Sequence, residues 1–242
     1  MPATATLVRP LTARSVVLSL LLGTHSSRLP VRDILRTGEL FGISPATMRV
    51  ALTRLVQAGD LVADQAVYAL SPRHLERHRL QELELDPTRL PWDGTWETVV
   101  VTATGRDAAT RADLRRRLTA RRLVMLREGV WMRPDNLPRD DASDPDTLRL
   151  LSRPEDPAAL TDQLWDLQRW ADTGSTLLDV TSHGDTFADR FTAAAALVRH
   201  LRTDPALPDA LLPDDWPGAA MRRSYEDFRT EIMRLRPPEG ES

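Results

Sequence analysis

Residues 41–59 read Phe41-Gly42-Ile43-Ser44-Pro45-Ala46-Thr47-Met48-Arg49-Val50-Ala51-Leu52-Thr53-Arg54-Leu55-Val56-Gln57-Ala58-Gly59, and they decide how the N-terminal third folds. Gly42 can take the left-handed conformation that a tight turn needs. Ser44 is a natural helix N-cap, and Pro45 suits the first helical position. Met48, Leu52, Leu55 and Val56 then share one helical face until Gly59 ends the helix. Upstream, Leu11 to Gly23 reads as a helix, and Val31 to Phe41 carries apolar residues at spacings that suit a second. Downstream, Asp60 to Ala63 and Val67 to Leu70 read as two short strands around a tight turn at Asp64-Gln65. Helix, helix, glycine turn, helix and hairpin is the order of a winged helix-turn-helix.

The chemistry follows from the face left free. With Met48, Leu52 and Leu55 inward, Ser44, Ala46, Thr47, Arg49 and Thr53 lie near the outward side of the third helix. A hydroxyl at 44 or 47 can reach phosphate, and the Arg49 guanidinium can fork onto guanine in the major groove. The candidate DNA-binding residues are therefore Ser44, Pro45, Ala46, Thr47, Arg49, Thr53 and Arg54, with Gln65 at the hairpin.

Charge supports a polyanion at this end only. All 32 basic residues of the 242-residue chain are arginine, and the net charge is −3. Residues 1–80 carry 10 arginines against 5 acids, net +5, whereas residues 136–242 carry 12 against 21, net −9. A basic head on an acidic tail is expected when the head alone meets nucleic acid. With no cysteine, disulfides and thiolate metal sites are excluded. His25, His74, His78, His183 and His200 form no pair at metal spacing, so neither a metal nor another cofactor is expected. The longest apolar run, Val16 to Leu22, is too short to span a bilayer and lacks a cleavage signal, which predicts a cytoplasmic protein.

Residues 87–94, with Pro87 and Pro91, read as a linker. Beyond it come a strand at Thr95 to Ala103, a helix at Asp107 to Ala120, strands at Leu123 to Leu126 and Val130 to Pro134, and a short apolar segment at Thr147 to Leu151. This βαββ(α)β order predicts a ferredoxin-like domain. From about Asp162 the chain reads as helical, with Leu164, Trp165, Leu167 and Trp170 on one stripe and Phe187 to Leu201 on another. The fold class is α+β. Residues 1–86 form the winged helix-turn-helix, 87–159 the ferredoxin-like domain, and 160–242 a mostly helical C-terminal domain. Trp92, Trp96, Trp131, Trp165, Trp170 and Trp216 read as core anchors. The run Arg111, Arg115, Arg116, Arg117, Arg121 and Arg122 reads first as a solvated face paired with acids, and alternatively as a phosphate holder.

Three stretches carry a family resemblance. Residues 41–59 resemble the recognition region of the PaaX family of repressors, and GntR-class regulators look similar there. Both place a DNA-contacting arginine where Arg49 stands. Pro45 and Ala46 stand where GntR-type proteins often have polar readers. Trp92-Asp93-Gly94-Thr95-Trp96 and Gly129-Val130-Trp131-Met132-Arg133-Pro134 match the PaaX central region, itself similar to a small CRISPR-associated nuclease. Residues 204–218, Asp-Pro-Ala-Leu-Pro-Asp-Ala-Leu-Leu-Pro-Asp-Asp-Trp-Pro-Gly, resemble the C-terminal signature of PaaX-type regulators, which GntR-class effector domains lack.

The resemblance implies a homodimeric, non-enzymatic repressor of a catabolic operon that binds double-stranded operator DNA. It further implies an acyl- or aryl-coenzyme A thioester as inducer, for which Arg115 and Arg122 are the candidate ligands. The alternatives are a metal-dependent nuclease built on the central domain, a GntR-like regulator with a different effector, and an adaptor whose winged helix binds protein. Against a nuclease, the first central strand ends in hydroxyls and a methyl where the related nucleases carry a metal-binding aspartate. Glu97 lies at the other end, and Asp107 is placed to cap the next helix.

Overall fold

The computed structural model describes residues 11–23, 27–105, 107–139 and 144–234. The chain is α+β, with two antiparallel sheets of three and four strands, and it divides into two compact units.

The first unit takes in Met1–Asp86, Asp172–Asp204 and Pro217–Ser242. Its N-terminal part runs α1 (Ala13–Gly23), β1 (Arg28–Pro30), α2 (Val31–Leu40), α3 (Pro45–Gln57), β2 (Leu61–Asp64), β3 (Val67–Leu70) and α4 (Pro72–Leu85). The hairpin turn is Gln65-Ala66, one residue later than the expected Asp64-Gln65, because Asp64 still pairs with Val67 and Gln65 takes the positive φ of 52°. β1 adds a third strand on β3, with Leu29 opposite Tyr68. Residues 24–26 of the loop expected before α2 lie outside the described residues.

From the C-terminal half the unit receives α8 (Phe187–Leu201) and α9 (Gly218–Arg234). Phe191, Ala194 and Phe228 join Val16, Val17, Met48, Leu52 and Leu55 in one buried core. Phe41, at the end of α2, meets Phe191 edge-on at 5.1 Å and Phe187 at 6.4 Å.

The second unit takes in Pro87–Ala171 and Pro205–Trp216. It holds β4 (Trp96–Val101), α5 (Ala108–Ala120), β5 (Val124–Arg127), β6 (Val130–Pro134), β7 (Thr147–Ser152) and α6 (Pro157–Leu164). The sheet order is β5-β6-β4-β7, antiparallel throughout. Between β6 and β7 the described residues contain no helix. Val99, Leu114, Leu118, Leu123 and Trp131 pack α5 on the sheet. Trp96 is fully buried 6.2 Å from Trp165, and Trp170 stacks on Trp216 at 4.3 Å. The tryptophans Trp96, Trp131, Trp165, Trp170 and Trp216 are thus packing elements of this unit. The 205–216 stretch is tied in by Asn136, whose Nδ2 donates to the Ala206 carbonyl at 2.8 Å. Residues 167–183 form α7.

Candidate nucleic-acid interface

α3 is set by the turn before it. The Ile43 N–H donates to the Gly38 carbonyl and the Gly42 N–H to that of Glu39, both at 3.0 Å, with Gly42 at φ +67°. This Schellman pair satisfies the last carbonyls of α2 and reverses the chain in three residues. The Ser44 hydroxyl then accepts from the Thr47 N–H at 3.2 Å, with Pro45 in the first turn. Gly38 lets the two helices approach closely, since a Cβ built there would lie 2.7 Å from Met48 Cγ.

The hairpin is anchored by a buried acid. Asp60, 5% exposed, accepts from Arg14 at 2.6 Å and faces His74 Nδ1 at 3.4 Å. Its carbonyl accepts from the Ser71 N–H at 3.0 Å. One side chain thereby ties α1, the base of the hairpin and α4 together.

Met48, Leu52 and Leu55 are fully buried. On the opposite side Ala46, Thr47, Arg49, Thr53 and Arg54 are exposed, Pro45 is half-buried, and Gln65 is exposed at the hairpin turn. Neither Arg49 nor Arg54 pairs with a carboxylate among the described residues. The Thr53 hydroxyl donates back to the Arg49 carbonyl at 3.0 Å. Ser44 and Thr47 hydroxyls hydrogen-bond each other at 2.9 Å. Val50, 50% exposed, sits among these residues, and the sequence reading missed it. Its place was legible, since it follows Ala46 by four residues and so shares that face.

Arg115 lines an open cavity of about 770 Å³ with Arg111, Met125 and Trp131, whereas Arg122 is not among its lining residues and adopts φ 60°. Much of the basic run is paired. Arg116 and Arg117 hold Asp113, Arg117 also reaches Asp144 at 2.7 Å, and Arg121 meets Glu97 at 2.5 Å. Glu97 is fully buried, and its other oxygen accepts from Arg133 Nε at 2.8 Å. Burial lowers the Arg133 pKa, opposed by the Glu97 charge. Asp107 caps α5, accepting from the Thr110 N–H at 2.7 Å, and that bond holds its carboxyl below the usual value. Glu97 is thus held by two arginines while Asp107 is exposed at its cap, and among the described residues no group of three or more His, Asp or Glu could hold a metal. Among those residues, too, no helix is long and apolar enough to cross a membrane.

Residues 12–74 match the PaaX-like protein model, residues 89–144 the PaaX protein central Cas2-like domain, and residues 159–236 the PaaX-like protein C-terminal domain. The chain belongs to the PaaX family. It is a PaaX-type regulator, as the three segments matched in order indicate. A solved structure, that of the uncharacterized protein Rv0674 from Mycobacterium tuberculosis, is 48% identical. It superposes with a TM-score of 0.84 over 92% of this chain and 96% of that one. No curated protein matches the PaaX-type chain described here.

Proposed function

We propose that this PaaX-type chain is a ligand-controlled repressor that reads double-stranded operator DNA with α3, and that residues 1–86 build a winged helix-turn-helix. The observation that carries the reading is the outward face of α3. Arg49 and Arg54 stand there without carboxylate partners, beside the small, exposed Ala46, Thr47, Val50 and Thr53. Such a face lets the helix backbone approach the major groove, where an arginine forks onto guanine and a valine methyl meets thymine. The hairpin carrying Gln65 serves as the wing, and the Ser44 and Thr47 hydroxyls face phosphate.

The second unit is the ferredoxin-like body, a reading supported by its antiparallel β5-β6-β4-β7 order. Its role is assembly rather than chemistry. Glu97 is held by two arginines and Asp107 caps α5, and magnesium-dependent cleavage of nucleic acid is not expected. β7 is an edge strand with Leu148 and Leu150 about half exposed, and exposed leucines on an open edge suit a second copy of the chain. A homodimer would offer two heads to a palindromic operator, with half-sites a whole number of helical turns apart. The regulated genes would form a catabolic operon and the inducer would be an acyl- or aryl-coenzyme A thioester. Work on DNA places the protein in the cytoplasm.

The test is operator binding by fluorescence anisotropy with wild-type protein and Arg49→Ala. A loss of about 1–3 kcal/mol in specific binding is expected, the scale of one bidentate base contact. Unchanged affinity for the operator would refute the assignment of α3.

A further inference from the structure

The first unit contains a cavity of about 200 Å³ between α1, α8 and α9. Its floor is apolar and deeply buried, formed by Phe191, Ala194 and Phe228. Its exposed lining residues are basic, Arg199 and Arg202, near the end of α8. No carboxylate pairs with Arg199 among the described residues. Desolvation alone shifts its pKa, lowering it from the ordinary arginine value. Arginines near a helix C-terminus favour the helix dipole by themselves, but that does not account for the apolar chamber beneath them.

The geometry points to a binding site for a small anion with a compact apolar body, an aryl or branched acyl group whose charged end meets Arg199. An apolar cavity of about 150 Å³ holds benzene, so this one takes a ring with two or three further heavy atoms. A free carboxylic acid fits whole. A coenzyme A thioester of the same acid would insert its acyl group and leave the carrier arm outside, its phosphates available to the arginines. The site is distinct from Arg115 and Arg122 of the second unit.

The cavity also has a short mechanical route to the recognition helix. Phe191 forms part of its floor and packs edge-on against Phe41, and Phe41 immediately precedes the Gly42 turn that aims α3. Ser19 and Leu22 of α1 line the cavity, while Val17 and Leu21 of the same helix share the core with Met48 and Leu52. A ligand that favours one rotamer of Phe191 therefore biases the turn, which is what control of DNA affinity requires. This role as the effector site rests on the regulator reading; the cavity itself does not.

Titration calorimetry on the full free chain tests the site, with benzoate, 3-phenylpropionate and isovalerate as probes, each as free acid and as coenzyme A thioester. At least one probe should bind. Its affinity should fall at least tenfold in Arg199→Met, which removes the charge at the surface, and in Ala195→Phe, which fills the chamber. Binding of free acids identifies the acid itself as ligand, and binding of thioesters alone identifies the carrier-linked form. Failure of all six probes at millimolar concentration, or equal affinity in wild type and Ala195→Phe, overturns the site. With operator DNA present, the bound probe should release wild-type protein but not Phe41→Leu. Probe binding without release in wild type overturns the control step. A chain that binds no DNA refutes the regulator reading instead, and the free-protein titration still decides the cavity.

Discussion

Replacing Gly38 by alanine sets two effects of opposite sign against each other, and the packing of α2 on α3 decides which wins. Gly38 is helical, so alanine there should gain about 0.5–1 kcal/mol through backbone entropy. The new Cβ, however, would stand 2.7 Å from Met48 Cγ, 3.1 Å from its Cε and 3.2 Å from its Sδ. Met48 is fully buried, and the nearest atom is close to its backbone, so the side chain cannot swing clear. Overpacking of this kind costs about 1–3 kcal/mol. The expected net is a loss of about 1 kcal/mol, with Gly38→Val losing more. Urea unfolding followed by circular dichroism measures it, with tryptophan fluorescence marking the separate transition of the second unit, where all six tryptophans lie. The decisive control is the Met48→Ala background. That change alone should cost about 2–5 kcal/mol, but with Cγ gone, adding Gly38→Ala should become stabilising. If Gly38→Ala stabilises the wild-type chain as it would an exposed helix, the close approach of the two helices is refuted. Operator affinity should fall in Gly38→Val even at temperatures where the chain stays folded, because α3 is pushed outward.

Glu97→Ala should destabilise the second unit by about 3–5 kcal/mol, the scale for leaving a buried charge unpaired, since Arg133 is only 3% exposed; thermal denaturation of the full chain reads this. The Asp107 carboxyl is held below the ordinary value of 3.8 by the Thr110 N–H, so its contribution is complete at neutral pH and is lost only as pH falls through that lowered value. Carbon-detected NMR titration should show its midpoint under 3.8, and a midpoint above 3.8 would contradict the cap. Leu148→Asp with Leu150→Asp should convert a dimer to monomer in analytical ultracentrifugation at micromolar concentration, and a dimer that survives both changes uses another surface. Incubation with DNA or RNA in magnesium or manganese should give no cleavage that depends on Asp107; cleavage abolished by Asp107→Ala would overturn the regulator-only reading.

Local signals served well wherever a backbone requirement selects a residue type. Gly42, Ser44 and Pro45 each answer a geometric demand of the turn or cap, so α3 and its exposed face were legible, as were the strands around α5. The same logic was available at Ser71-Pro72, which repeats the Ser44-Pro45 cap and starts α4, yet it lay outside the helices read from apolar spacing. β1 escaped because three residues, Arg28-Leu29-Pro30, carry no periodicity and their pairing with β3 is specified from a distance. The turn at Gln65-Ala66 holds no glycine to mark its φ. The cavity was invisible for a different reason. Its floor joins Phe191 and Phe228, nearly forty residues apart, to a helix that ends at Gly23, and periodicity identifies a buried face without naming what covers it.

That shared core has a consequence for synthesis. The first unit begins near the N-terminus but is closed by Phe191 and Phe228, so its apolar surface stays uncovered while all the strands of the second unit leave the ribosome. At about 5–20 residues per second, the interval between emergence of the DNA-reading segment and completion of its core is on the order of ten seconds. The nascent head spends that time as a client for chaperones, and a message truncated before α9 should yield aggregating or degraded product rather than a constitutive repressor.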